Sequence, residues 1–321
     1  MYYRGFLLLA AIVLATVIIS CNNQSIDETV FEAGENPYLS KTADDLYMVE
    51  NLNNGGNICF LVAKKSVLIV DAGSYTSGSE KVMELIQRVT DKPVRYVVYT
   101  HCHTDHVGGI AGYPQDITII GHANLPANID NFVLPGVEAF NKNLEQFGED
   151  SLRLRYGEMF DDIAGIKIRK PDLLFDDTHT INLGNYTVEL SYPGTCHTTD
   201  NIFVLFKEQK VLHTGDLVFN KRHPFVSSVY SADPAKWGES VKEWSKEDLA
   251  AVIPGHGDVG GVEILVAQGD YFDKLIQAVS EYRDSELSLN EIALAIDKEY
   301  FPEFETAGYF SSAVEILLNK K

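Results

Sequence analysis

The run His101-Cys102-His103-Thr104-Asp105-His106 constrains this chain more than any other feature. It follows directly on the apolar stretch Arg95–Thr100 and is closed by Val107-Gly108-Gly109. Three of the nine histidines and an aspartate fall within six residues. Imidazole nitrogens and a carboxylate are the donor set for zinc or iron. In an extended segment alternate side chains share one side, so His101 and His103 point the same way. Three further segments carry donors at strand borders. Pro193-Gly194-Thr195-Cys196-His197-Thr198-Thr199-Asp200-Asn201 precedes the apolar run Ile202–Phe206. Thr214-Gly215-Asp216 follows Val211–His213, and Pro254-Gly255-His256-Gly257 follows Ala250–Ile253. Each places one His or Asp in a glycine-containing turn, where ligands gather in layered α/β folds. Together they complete a two-metal site.

Around these turns the chain alternates strands with helices, which predicts one large α/β domain. Asn57–Ala63, Val67–Val70 and Val94–Tyr99 are apolar runs rich in Val, Ile and Tyr, bounded by turn signals. Between the last two, Val82, Leu85, Ile86 and Val89 recur on one helical face. A second strand set comprises Ile117–Ile120, Thr187–Leu190, Ile202–Phe206 and Val211–Leu212. Asp233-Pro234 reads as a helix start, after which Trp237, Val241 and Trp244 share a face. Beyond His256 the pattern turns wholly helical through Val262–Glu281, Leu289–Ile296 and Ala307–Leu318. The expected organisation is a leader at 1–20, a tether at 21–43, the catalytic domain at 44–260 and a C-terminal helical extension at 261–321. Within the domain, 123–180 is an irregular insert suited to cap the site.

Charge narrows the partners. With 26 Lys+Arg against 46 Asp+Glu the net charge is -20, which repels a phosphate backbone and anionic lipid surfaces. The expected partner is a small-molecule substrate, not nucleic acid. Four cysteines in 321 residues exclude a disulfide scaffold. Arg4 is the only charge before an apolar stretch from Phe6 to Ile19, too short to span a bilayer at about 20 residues. It ends in Ile18-Ile19-Ser20-Cys21, which resembles a bacterial lipobox. That resemblance implies cleavage before Cys21 and a lipid on its sulfur; the other reading is a short uncleaved anchor. Either way the rest of the chain is expected in the bacterial cell envelope, facing outside the cytoplasm, with membrane contact through the anchor only.

From about Asp44 to Asp258 the motifs resemble the metallo-β-lactamase-fold hydrolase superfamily. The resemblance implies a four-layer αββα sandwich with metals at one edge between two sheets. By position His101, His103 and His197 match the ligands of a first metal, Asp105, His106 and His256 those of a second, and Asp216 the bridging carboxylate. Val70-Asp71-Ala72-Gly73 matches the family's early strand-end turn, with Asp71 read as structural or as support to a ligand. The seven-ligand set is similar to that of glyoxalase-II-like hydrolases and some lactonases. The commonest lactamase type carries a cysteine where this chain has Asp216.

Two divalent ions about 3.5–4 Å apart bridge a water and bring its pKa from 15.7 towards about 7. The resulting hydroxide attacks a carbonyl carbon, with Asp105 orienting it and shuttling its proton. The expectation is therefore a hydrolase with two zinc ions acting on an ester, thioester, lactone or β-lactam. A mononuclear iron persulfide dioxygenase keeps much the same motif and stands as the alternative, and a non-catalytic surface lipoprotein as a further one. His223, seven residues past Asp216, either reaches the substrate pocket or is a plain loop residue. Cys102 and Cys196 are expected as buried small hydrophobes, and His122, His179 and His213 as structural.

Overall fold

The protein is described by a computed structural model covering residues 39–50, 55–304 and 307–320. The leader, Cys21 and most of the tether lie outside these residues. No helix among the described residues is long and apolar enough to cross a membrane.

Two sheets form the centre. The first runs in the spatial order β1 (Leu39–Ala43), β2 (Leu46–Val49), β3 (Ile58–Val62), β4 (Val67–Val70), β5 (Val94–Val98), β6 (Thr118–His122) and β7 (Leu173–Phe175). The second runs β12 (Ala251–Ile253), β11 (Val211–His213), β10 (Phe203–Phe206), β9 (Thr187–Ser191) and β8 (Thr178–Asn182). From β4 to β7 the first sheet is parallel, as is the β11–β12 pair; the remaining pairs are antiparallel.

Side-chain parity sorts the residues into layers. Cys59 and Leu61 of β3, with Leu68 and Val70 of β4, face Val188, Leu190, Val204, Phe206 and Ile253 of the second sheet. Their neighbours Ile58, Phe60, Val67 and Ile69 face outward, under Val82, Leu85 and Ile86 of α1 (Thr76–Val89). Across the molecule Phe203, Leu212 and Val252 pack beneath Trp237 and Val241 of α7 (Pro234–Trp244) and Phe272 and Leu275 of α8 (Val262–Tyr282). The layers are α, β, β, α. Strands covered on both faces read as unbroken apolar runs, which is why β3 and β4 stand out in the sequence. Asp233 caps α7 by accepting from the backbone N–H of Ala235 and Lys236.

Two short helices leave the first sheet near the centre, α2 (Thr104–Val107) and, after β6, α3 (Leu125–Asn128). The stretch after α3 is mostly helical: α4 (Leu134–Phe147), α5 (Glu149–Tyr156) and α6 (Phe160–Ala164) gather Phe140, Leu152, Phe160 and Ile163 against Tyr75. Finally α9 (Leu289–Tyr300) and α10 (Phe310–Asn319) pack with α8 on the second sheet.

Three expectations are corrected. Residues 117–120, grouped with the second strand set, form β6 and pair in parallel with β5 in the first sheet, Tyr96 opposite Thr118. Residues 39–43, read as the end of the tether, form the edge strand β1 against β2. The stretch 123–180 ends in two strands, β7 and β8, one on the edge of each sheet. Their brevity and the mostly exposed Thr-His-Thr-Ile-Asn of β8 hide them from an apolar pattern.

Candidate metal centre

The centre is built where β4, β5 and β11 end. Asp71 follows β4 in the left-handed region at φ 65°, a conformation Asp tolerates better than most residues. Its carboxylate accepts from the backbone N–H of Thr100 at 2.8 Å, from the Thr100 hydroxyl at 2.8 Å and from His106 Nδ1 at 2.7 Å. A carboxylate only accepts, so His106 carries its proton on Nδ1 and turns Nε2 inward. Because the Thr100 hydroxyl gives its proton to Asp71, it accepts from His101 Nδ1 at 3.1 Å, and His101 Nε2 likewise faces inward. The tautomers follow from this network.

Asp216 lies between two groups of donors. On one side are His101, His103 and His197: Asp216 Oδ2 is 3.7 Å from His101 Nε2 and 3.5 Å from His197 Nε2, and His197 Nε2 is 3.0 Å from His103 Nδ1. On the other side are Asp105, His106 and His256: Asp216 Oδ1 is 3.1 Å from His106 Nε2 and 3.3 Å from His256 Nε2. Asp105 Oδ2 is 3.2 Å from His256 Nε2 and 3.5 Å from His106 Nε2. In each group all donor atoms lie within 4.8 Å of one another. His101 Nε2, His106 Nε2 and Asp216 Oδ1 are buried without a hydrogen-bond partner. Buried polar atoms are rarely left so, and three that converge on two points suit a pair of cations.

Electrostatics divides the groups in the same way. Burial, reinforced by the neighbouring imidazoles, holds His101 well below its usual range and His197 down at about 3, and burial brings His103 to about 4. These rings stay neutral, the form that ligates. Burial would also lower His106 and His256, but the Asp216 and Asp105 carboxylates outweigh it and lift His256 to about 9 and His106 well above its usual value. Burial would raise Asp105 and Asp216; His106 and His256 instead hold both well below the carboxylate range. Without an ion, protons on these two rings supply the positive charge that the carboxylates demand, and cation binding releases them.

The sequence profile of the Metallo-beta-lactamase superfamily matches residues 53–256, which contain every residue of both groups. The chain belongs to the metallo-beta-lactamase superfamily. It is 25% identical over 208 residues to a metallo-beta-lactamase type 2 of Bacillus sp. (strain 170), covering 64% of this chain and 68% of that one. A linear primary-alkylsulfatase of Pseudomonas sp. (strain ATCC 19151) is 23% identical over 213 residues, 61% of this chain but only 40% of the sulfatase. Among solved structures, a metallo-beta-lactamase from Pontibacter korlensis superposes with a TM-score of 0.55 at 19% identity, covering 73% of this chain and 98% of that one. The sec-alkylsulfatase Pisa1 from Pseudomonas sp. gives 0.66 at 15% identity, covering 87% of this chain and 49% of that one. The chain is a hydrolase of this superfamily, with two groups of side chains that could hold metal ions.

Within the metallo-beta-lactamase-fold domain the remaining expected residues separate clearly. Asp71 supports His106, as above. His213 accepts from the Gly215 N–H at Nδ1 and lies 3.3 Å from the Asn57 carbonyl at Nε2, which braces the turn before Asp216. His122 stacks on Tyr192 at 3.9 Å, and His179 on Phe175 at 5.9 Å. Cys102 and Cys196 are buried free thiols; burial pushes Cys196 up to about 12 and Cys102 well above its usual value. His223 is buried. Its ring nitrogens lie 2.7 Å from the Tyr271 hydroxyl and 2.9 Å from Asp297 Oδ1, so it joins the loop after Asp216 to α8 and α9. The surrounding rings of Phe301, Phe304 and Phe310 leave it no face for a substrate.

Other supports escape a reading of the sequence. Asn57 donates from Nδ2 to the carbonyls of Pro254 and Gly257, at 3.0 and 2.8 Å, and so clamps the turn carrying His256. A Cβ on Gly255 would fall 2.1 Å from Asp216 Oδ1, and one on Gly56 would fall 2.4 Å from His106 Cε1. Only hydrogen fits at these points, where backbone lies directly against a donor. Phe219 stacks on His256 at 5.1 Å and Trp237 meets His197 edge-on at 5.0 Å. The Gly55-Gly56 pair and the glycine turn around His256 are local signals; the other contacts join residues far apart in sequence.

Two predictions arise here. Asp71→Asn keeps a residue tolerant of positive φ but removes the carboxylate that holds His106. It is expected to weaken metal binding at the Asp105–His106–His256 group about 10- to 100-fold, as read by competitive chelator titration. Asp200, buried beneath the His197 turn, has its carboxyl raised to about 6 by that burial. With a folded pKa above the unfolded value of about 3.9, its contribution is fully present below pH 4 and is lost as pH rises through 6. Asp200→Asn should therefore gain roughly 2 kcal/mol on the wild type between pH 4.5 and 7.5 in denaturant melts. Parallel pH profiles for the two proteins would refute this.

Proposed function

We propose that this chain is a zinc-dependent hydrolase that uses a metal-activated water on the carbonyl of an ester, thioester, lactone or β-lactam. The observation that supports it is the position of Asp216, with Oδ2 in one donor group and Oδ1 in the other. His101, His103 and His197 would hold one ion, Asp105, His106 and His256 the second, with Asp216 shared. Bound there, two divalent ions supply a nucleophilic water at neutral pH and a Lewis acid for the carbonyl oxygen.

The chain's own residues do the rest. Asp105 is the most open donor, with 31% of its side chain exposed, and His256 is next at 14%. Substrate enters on that side. Asp105 Oδ2 orients the nucleophile and takes up its proton. Thr100 and Asp71 keep His101 and His106 in the tautomers that face inward. The leader supports a lipid-anchored location in the cell envelope, which suits substrates met outside the cytoplasm.

The first test is a panel on the metal-loaded chain: a chromogenic cephalosporin, a lactone, an acyl thioester, an aryl ester and an alkyl sulfate. The cephalosporin leads because relatives are named metallo-beta-lactamase type 2, and the alkyl sulfate is included because another is named alkylsulfatase. Hydrolysis of a carbonyl substrate supports the reading. Turnover of the sulfate alone would move the reaction from a carbonyl to a sulfate ester.

A further inference from the structure

Half-buried aromatic rings run along one flank of the centre. Tyr230 meets the His103 ring edge-on at 4.2 Å, and Phe225 meets His103 at 5.7 Å and His197 at 6.3 Å. Phe132, from the helical insert after β6, packs on Tyr230 at 4.9 Å. Phe225 continues to Tyr230 at 6.3 Å and to Tyr309 at 5.4 Å. Tyr309 belongs to the C-terminal extension, and its hydroxyl donates to the His223 carbonyl at 3.0 Å, fixing the ring beside that loop. The four rings come from three segments far apart in the chain, yet none is fully buried. Each is packed over most of its surface and leaves a smaller part of the ring to solvent, where apolar matter could cover it. The run is continuous with the ring of His103, and so with the donors themselves.

We propose that Phe132, Tyr230, Phe225 and Tyr309 form the apolar wall of the substrate site, and that the enzyme prefers substrates with an acyl chain of several carbons beside the scissile bond. This rests on reading the centre as hydrolytic. The C-terminal extension then sets specificity through Tyr309, while His223, Asp297 and Tyr271 anchor the loop that carries Phe225. The wall adds affinity in proportion to the methylene groups it covers.

The test is calorimetric titration of the metal-loaded full chain with straight-chain carboxylates from acetate to octanoate, which are the acyl products. Binding is expected to tighten about fourfold for each methylene fully covered, before levelling off at the end of the wall. Phe225→Ala and Tyr309→Ala should flatten that slope while metal content stays unchanged. Tyr309→Phe should keep it, since the ring and not the hydroxyl meets the chain. Leu154→Ser, at a residue 90% exposed on α5, serves as control and should match wild type. No dependence on chain length in the wild type, no binding by any carboxylate, or equal slopes in all variants would overturn the proposal. Length-dependent binding without turnover of any ester would leave the wall standing and refute the hydrolytic reading alone.

Discussion

His103→Ala and Asp105→Ala are each expected to abolish turnover, by on the order of a thousandfold or more, without unfolding the domain. Each removes one donor from a different group, and neither side chain carries the sandwich: the inter-sheet core is made by residues such as Leu61, Leu68, Val204 and Phe206. His103 Nδ1 faces His197 Nε2 at 3.0 Å, so its loss leaves two imidazoles and a shared carboxylate for the first ion. Loss of Asp105 removes the open carboxylate that orients the nucleophile and also one of the charges that hold His256 at about 9. Initial rates, metal content and a melt monitored by circular dichroism read the three consequences separately. Wild-type rates in either variant would sink the assignment of the centre.

Removing the metals with a chelator is expected to abolish activity and to lower the melting temperature by about 10 °C or more. A ligand present at about a thousand times its Kd stabilises the folded state by roughly 4 kcal/mol per site. For a chain of this size each kcal/mol shifts the midpoint by about 2–4 °C. The physical cause is visible in His101 Nε2, His106 Nε2 and Asp216 Oδ1, which make no hydrogen bond among the described residues and converge where a cation would sit. Elemental mass spectrometry on protein purified without added metal, and again after reconstitution, gives the identity. Two zinc ions per chain are expected. One iron and little zinc would instead support the dioxygenase, to be pursued by oxygen uptake on persulfides, and no retained metal would refute the reading of both groups.

The seven side chains that the structure gathers were legible because each sits in a short, self-contained signal: a His-rich run after an apolar strand, or a single His or Asp in a glycine turn. The structure brings all seven together in two groups that share Asp216. The strands with the strongest apolar runs, β3 and β4, were legible for a related reason, since burial on both faces writes itself into consecutive residues. The helices after His256 showed in the same way through their periodicity. Sheet membership was not legible. Residues 117–120 carry the same local pattern in either sheet, and only pairing with β5 decides between them.

His223 shows the same limit at the level of a single side chain. Its distance from Asp216 along the chain suggested a substrate contact, whereas Tyr271, Asp297 and three phenylalanines of the C-terminal helices take up its ring. The sequence by itself determined the donor types, their placement at strand ends and the layered α/β class, because these depend on residue chemistry and short-range periodicity. Only the tertiary structure decided which nitrogen of each histidine faces inward, which glycines lie against a donor, and which aromatic rings flank the opening. Those depend on contacts between segments distant in the chain, such as Asp71 with His106 and Gly255 with Asp216, whose energies exist only once the two sheets have packed.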